Sequence, residues 1–305
     1  MQYNRYGGMD VLFLGDWPGR ASVADEVKVA MHAASANPVD GKLRGGFLEN
    51  VTGPIKWPAG CGRDGAGEIV AIGENVDPAW LGRRVCFLAP WSVPTWADEA
   101  VVPVAIVAAL PDTVTFAQAA AVPLVGLSAL RGLVDVAKVK KGQRVLIHAA
   151  SGGVGHIAVQ LAKHLGAEAI GTCSAKNRDF VLGLGASQVI AYDEDNMIHS
   201  ASKVDVVFDL IGGAAHVTAP DLLREGGRLV YLNTGPVDVP DMPDGTERLE
   251  ATIEPDGALL TKIVDLMAQG AITPYVLQVF PLKDYEQVQI RVDAAHVRGK
   301  VVLEI

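Results

Sequence analysis

The stretch "VLIHAASGGVGHIAVQLAKHLG" puts small residues where a phosphate can be held. Ala150, Gly152 and Gly155 stand on the G-x-G-x-x-G spacing, with alanine in the first place. Across Ser151, Gly152, Gly153, Val154 and Gly155 little side-chain bulk keeps the backbone from a pyrophosphate. The helix that follows offers free N–H groups and the positive end of its dipole. About 20 residues further on, where a bound dinucleotide would place its adenosine ribose, the chain reads "GTCSAKNRDF". No carboxylate stands there before Asp179; Ser174, Lys176 and Arg178 stand there instead. A hydroxyl with two cations suits a ribose 2′-phosphate, so the expected cofactor is NADP(H) rather than NAD(H). The other reading is that both cations are solvated residues of a first helical turn, a place where cations are mildly disfavoured. Methyltransferases also use a glycine-rich turn, but they call for an acid at the end of the second strand. His148, just before the turn, has no acid–base partner visible in the sequence and reads as a structural histidine. No G-x-S-x-G elbow is present, which argues against nucleophilic hydrolysis.

These residues need elements to hold them. From Arg144 onward apolar strand-like runs alternate with helical segments: "RVLIHAA", "HIAVQLAKHLG", "EAIGTCS", "KNRDFVLGLG", "SQVIAY", "VDVVFDLIG" and "GGRLVYLN". This alternation predicts an α/β fold with a doubly wound parallel sheet of buried strands. Ile211 and Asn233 end later strands of the series, where such sheets bind ligands. The first third is rich in glycine and proline, with short alternating runs that predict antiparallel strands. Asp112, Thr113 and Thr115 are candidate caps for the helical pattern that follows them. "DGALLTKIVDLMAQG" predicts an amphipathic helix, and "GKVVLEI" a final strand returning to the first domain.

The 305 residues, half of them hydrophobic and a fifth charged, suffice for full cores and suggest two domains. With 26 basic and 35 acidic residues the net charge is −9, a poor basis for binding nucleic acid or an anionic membrane. The three cysteines are scattered, which fits a reducing compartment. "MQYNRYGGMD" lacks the apolar core of a signal peptide, and no apolar stretch is long enough to span a bilayer. A cytoplasmic location is expected.

The segments "HAASANPVDGKLRGG", "GCGRDGAGEIVAIGENV", "AAAVPLVGLSAL", "VLIHAASGGVGHIAVQLAKHLGA", "VVFDLIGG" and "HVRGKVVLEI" together carry a family resemblance. Nearly end to end the chain resembles the medium-chain dehydrogenase/reductase superfamily, and within it the zinc-independent quinone oxidoreductase (zeta-crystallin-like) branch. The resemblance implies a mostly-β GroES-like catalytic domain, residues 1–112 and 273–305, and a Rossmann dinucleotide-binding domain, residues 113–272. The cofactor would lie in the cleft between them. It also implies a small-molecule quinone or enone substrate and a homodimer.

Asn37 matches the family residue that faces the nicotinamide region. Lys42 stands where many relatives carry tyrosine; it is either a donor to a developing oxyanion or cofactor ribose, or a solvated loop lysine. Asp64 either lines the cleft or stabilises its turn. Tyr192 matches a position that packs near the adenosine phosphate. Zinc-using members place ligands where this chain has Asn37, Arg63–Asp64 and "PLVGL", and three isolated cysteines do not replace them, so no zinc is expected. Cys61 reads as a small buried hydrophobe. Trp57, Trp91 and Trp96 either line a substrate pocket or pack a core. The departures "TWADEA" and "GPVDVPDMPDGTERLEATIEPDG" bear on substrate identity.

Without a Lewis acid, hydride transfer suits acceptors that are already electron-poor. The expected activity is therefore NADPH-dependent reduction of a quinone or α,β-unsaturated carbonyl. A non-catalytic NADPH-binding sensor or structural protein, and an alcohol dehydrogenase, are the competing readings.

Overall fold

The computed structural model of the chain describes residues 1–194, 203–232, 241–294 and 297–305. Asn233 lies outside the described residues. Contacts divide the chain into two compact units. The first comprises Met1–Leu127, Glu254–Gly270 and Pro274–Ile305; the second comprises Ser128–Ile253 and Ala271–Thr273.

The first unit opens with β1 (Gln2–Tyr3), β2 (Glu26–Ser35), α1 (Pro38–Arg44), α2 (Glu49–Thr52), β3 (Ala59–Gly60), β4 (Asp64–Ile72), β5 (Arg84–Leu88), β6 (Glu99–Pro103) and β7 (Val107–Ala109). Along "EVKVAM" in β2 buried and half-buried residues alternate, as a sheet with one face on a core requires. Helix α3 (Phe116–Ala120) starts at Thr115, whose Oγ1 accepts from the Gln118 N–H at 3.2 Å. The cap is therefore Thr115 among the three candidates. Helix α4 (Pro123–Leu130) follows.

The second unit contains β8 (Arg144–Ile147), α5 (Gly153–His164), β9 (Glu168–Cys173), α6 (Arg178–Gly183), β10 (Gln188–Ala191), β11 (Val204–Asp209), α7 (Gly213–Thr218), β12 (Leu223–Tyr231) and β13 (Glu247–Glu250). All six strands pair in parallel, in the order β10-β9-β8-β11-β12-β13. The order reverses between β8 and β11, the topological switch point of a doubly wound sheet. Leu146, Ile170, Ile190, Val207 and Leu229 bury one core of this unit.

The chain then returns to the first unit with α8 (Gly257–Ala268), β14 (Val276–Pro281), α9 (Tyr285–Asp293) and β15 (Lys300–Glu304). Asp256 caps α8, accepting from Leu259 N–H at 2.8 Å. Strand β15 pairs antiparallel with β2, so the last strand does return to the first unit. Its sheet runs β14-β15-β2-β4-β5-β7, with β6 added to β2. Two cores flank it, one around Tyr3, Trp96, Val301 and Leu303, the other around Val27, Val29, Ile69, Val85 and Phe87.

By contacts, 113–127 and 254–270 fall in the first unit, whereas the sequence boundaries put them in the second. Helix α3 packs against β2, β4 and β5, and α8 against β7. Gly257 lies so close to the Ala105 and Val107 carbonyls that a Cβ there would fall 2.5 and 2.7 Å from them.

Candidate active site

In the second unit the chain leaves β8 through His148–Ser151 and enters α5 with Gly152 as its N-cap. Ala149 takes the left-handed conformation, φ 48°, which costs energy for any residue but glycine. Two bonds to β9 hold the turn there: Ala150 N–H donates to Thr172 O at 2.8 Å, and Ala149 N–H to Thr172 Oγ1 at 3.3 Å. At Gly155 a Cβ would overlap the Ala149 carbonyl, so only glycine fits. Ser151, Gly152, Gly153 and Val154 remain half-exposed.

The residues expected around the adenosine end come together only in part. Asn177 joins two of them, its Nδ2 donating to Ser151 Oγ and Ser174 Oγ, each at 3.2 Å. Lys176 and Tyr192 are exposed. Arg178 donates to the Val189 carbonyl and to Glu194, each at 3.3 Å. Asp193 accepts from the Ala175 N–H at 2.8 Å. The end of β9 is thus not without carboxylates: β10 lies beside β9 and brings Asp193 and Glu194 to it. That signal was present in "VIAYDED", since the third strand of such a sheet ends beside the second.

Ile211, after β11, is exposed, and the Ile211 and Gly212 N–H groups donate to Asp209. His148 does have an acid partner, contrary to the sequence reading. Its Nδ1 lies 3.1 Å from Asp209 Oδ1.

In the first unit a buried polar network surrounds Asp64. Its Oδ1 accepts from the Leu124 N–H at 2.7 Å; its Oδ2 accepts from Ser35 Oγ and Asn37 Nδ2, each at 2.8 Å. Lys300, from β15, donates to Asn37 Oδ1 at 2.5 Å and to the Ala36 carbonyl at 2.8 Å, with its ammonium 3.5 Å from Asp64 Oδ2. Burial lowers the Lys300 pKa, while Asp64 and Asp40 oppose the shift. "NPVD", "GRDGAG" and "PLVGL" therefore do converge, and a lysine from "GKVVLEI" joins them. Sequence reasoning missed Lys300.

Asp40 accepts from the Asn37 N–H at 2.7 Å, and burial pushes its pKa up to about 7. Lys42 is half-buried, which lowers its pKa. Arg63 donates twice to the Ala89 carbonyl, at 3.1 and 3.0 Å, and lies 3.6 Å over the Trp91 ring. Trp96 is fully buried and Trp57 is partly exposed. Trp91, Trp96, Asp40 and Arg44 line a cavity of about 10 Å³, the size of one water rather than of a substrate.

The family model described as alcohol dehydrogenase GroES-like domain matches residues 23–123, and the one described as zinc-binding dehydrogenase matches 184–303. A chloroplastic quinone-oxidoreductase homolog of Spinacia oleracea is 32% identical over 321 residues, covering all of this chain and 97% of the relative. The chain belongs to the quinone oxidoreductase family of medium-chain dehydrogenases/reductases. Another relative is the chloroplastic NADPH-dependent alkenal/one oxidoreductase of Arabidopsis thaliana, 32% identical, covering 99% of this chain and 78% of the relative. Among solved structures, the Escherichia coli quinone oxidoreductase complexed with NADPH superposes with a TM-score of 0.89 at 27% identity, covering 100% and 99% of the two chains.

The residues of this family member do not fit zinc. The places where zinc-using members of the superfamily carry ligands hold here the Asn37 amide, the Arg63 guanidinium with the single Asp64 carboxylate, and no donor side chain in "PLVGL". No group of three or more histidine, cysteine, aspartate or glutamate side chains among the described residues is placed to hold a metal.

Proposed function

We propose that the protein is an NADPH-dependent reductase that delivers hydride to a quinone or an α,β-unsaturated carbonyl without a metal. The observation that carries this reading is the small-residue turn from Ala150 to Gly155 at the switch point of a parallel sheet, opening the twelve-residue helix α5. Bound there, a reduced nicotinamide supplies a hydride, two electrons with one proton. An acceptor quinone takes that hydride and one further proton to become the hydroquinone.

The α5 amides of Gly153 and Val154 hold the pyrophosphate. Ser174, Lys176 and Arg178 hold the 2′-phosphate, with Asn177 fixing Ser174 and Ser151. Tyr192 and Ile211 present exposed surface to the rest of the dinucleotide. Asn37 is oriented rather than mobile: Lys300 takes its carbonyl and Asp64 one N–H of its amide, which leaves the second N–H as a donor. Asp64, buried with both oxygens engaged, positions Asn37. Lys42, with its lowered pKa, is the candidate donor to the developing oxyanion. With Asn37, Arg63 and a lone Asp64 where zinc-using members carry their ligands, the acceptor must itself be electrophilic.

Asp193 and Glu194 favour a second reading of the cofactor, NADH, because carboxylates at this end suit an unphosphorylated ribose. Loss of reduced-nicotinamide absorbance on mixing with quinones and alkenals tests the reaction, and KM values for NADPH and NADH separate the cofactors. A lower KM for NADH would overturn the NADPH assignment. Tight binding with no turnover on any acceptor would overturn the enzyme reading.

A further inference from the structure

Asp209 closes β11 and His148 follows β8, the two strands between which the sheet order reverses. Their side chains meet across that point, His148 Nδ1 to Asp209 Oδ1 at 3.1 Å. The other oxygen lies 2.7 Å from Nδ1 of His216. Ile211 and Gly212 N–H donate to Oδ1 at 3.0 and 3.1 Å. All three side chains are buried.

The protonation of this network follows from its partners. Arg248 Nε donates to His216 Nε2 at 3.0 Å. Arginine has no acceptor, so that nitrogen is bare and the His216 proton sits on Nδ1, donated to Asp209. His216 is neutral. His148 Nε2 is buried and has no hydrogen-bond partner among the described residues. A protonated ring would strand a charged N–H there, which costs more than a bare lone pair, so His148 is neutral too. Burial alone would raise the Asp209 pKa, but the bonds from His148, Ile211 and Gly212 outweigh it and hold the group below the usual carboxylate range. The result is a buried anion solvated by neutral donors. Among the described residues, the cation joined to this network is Arg248, beyond His216 and over the Tyr231 ring, 4.2 Å from its centroid.

A buried anion without a directly paired cation is costly, and such groups gather at functional sites. We propose that the fixed negative charge of Asp209 favours the oxidised, cationic nicotinamide over the reduced, neutral one and so eases hydride donation. This rests on the reading that the second unit binds a nicotinamide dinucleotide. In doubly wound sheets such ligands cross the carboxyl ends of the strands at the order reversal, where this carboxylate stands. The ring gains a positive charge when hydride departs, while the carboxylate keeps its own, so the attraction exists on one side of the equilibrium only. Two imidazoles and two backbone N–H groups hold the charge in place without cancelling it.

The test is the pair of dissociation constants for NADP⁺ and NADPH on the full chain, by calorimetry and nucleotide fluorescence, with a melting curve for each variant. Asp209→Asn is expected to weaken NADP⁺ about tenfold more than NADPH, the size of one pKa unit's worth of differential charge interaction. Arg248→Gln keeps a donor for His216 Nε2 and removes the cation, so it should shift the ratio the other way, by about two- to threefold. A merely structural role would weaken both forms alike. Equal weakening by Asp209→Asn, or a ratio that Arg248→Gln leaves still or moves in the same direction, overturns the proposal. Should Asp209→Asn fail to fold, Arg248→Gln decides alone. A wild-type chain that binds neither form overturns the cofactor reading, and this inference with it.

Discussion

Arg178 divides its guanidinium between the Val189 carbonyl and Glu194, and a cofactor phosphate would compete with the second of these. The pair is solvent-exposed, so the competition is small. Glu194→Gln should lower the KM for NADPH by about twofold and leave that for NADH unchanged; a KM for NADPH that does not move would detach Arg178 from the phosphate. Asp40 gives a pH dependence of opposite sign to the usual carboxylate. Burial raises its folded pKa to about 7, whereas the unfolded carboxyl titrates near 4. The folded chain holds a proton that the unfolded chain has lost between about pH 4 and 7. This contribution to stability is full below pH 4 and is lost as the pH rises to about 7. Asp40→Asn keeps an acceptor for the Asn37 N–H and should flatten the melting midpoint across that window. An unchanged slope would assign it to another group.

Two elements carry the candidate sites, and each has a position that tolerates little. At the β8–α5 turn a Cβ on Gly155 meets backbone, which cannot yield as a flexible side chain can. Gly155→Ala is expected to cost about 1–3 kcal/mol and to weaken nucleotide binding. A denaturant midpoint and an NADPH titration check both. On β15, Lys300 ties the last strand to the start of α1 and to β4. Lys300→Met would leave Asp64 buried beside an uncharged partner, at a cost of about 3–5 kcal/mol, while Lys300→Arg should recover part of it. A Lys300→Met protein as stable as the wild type would mean that Asp64 needs no cation. The glycine turn was legible in the sequence because its spacing is local. The Lys300 contacts were not, because Asn37 and Lys300 lie 263 residues apart.

The first unit is assembled from three separate stretches of chain, and its sheet closes only when β15 reaches β2. Two bulk properties of the whole molecule follow from cofactor binding without a metal. NADPH at about a hundred times its dissociation constant should add about 2.7 kcal/mol to the stability of the unit that binds it, visible as a rise in a thermal transition. A chelator should change neither the melting curve nor the turnover, since the residues at the expected metal place do not suit zinc. Activity that EDTA abolishes and zinc restores would sink the metal-free reading.

The sequence by itself determined the features that depend on near neighbours: the parallel strand–helix series, the small-residue turn, a helix start within 112–115, and the antiparallel alternation of β2. Period, cap chemistry and backbone sterics act within a few residues, so they survive being read as a string. Only the tertiary structure decided where the charges go. Asp64 gathers its partners from three distant stretches, Asp209 collects His148 from the end of another strand, and Asp193 and Glu194 arrive beside β9 through strand pairing. Burial then gives these groups their protonation and their energetic weight, because a charge withdrawn from water is governed by whichever donors the fold has placed around it.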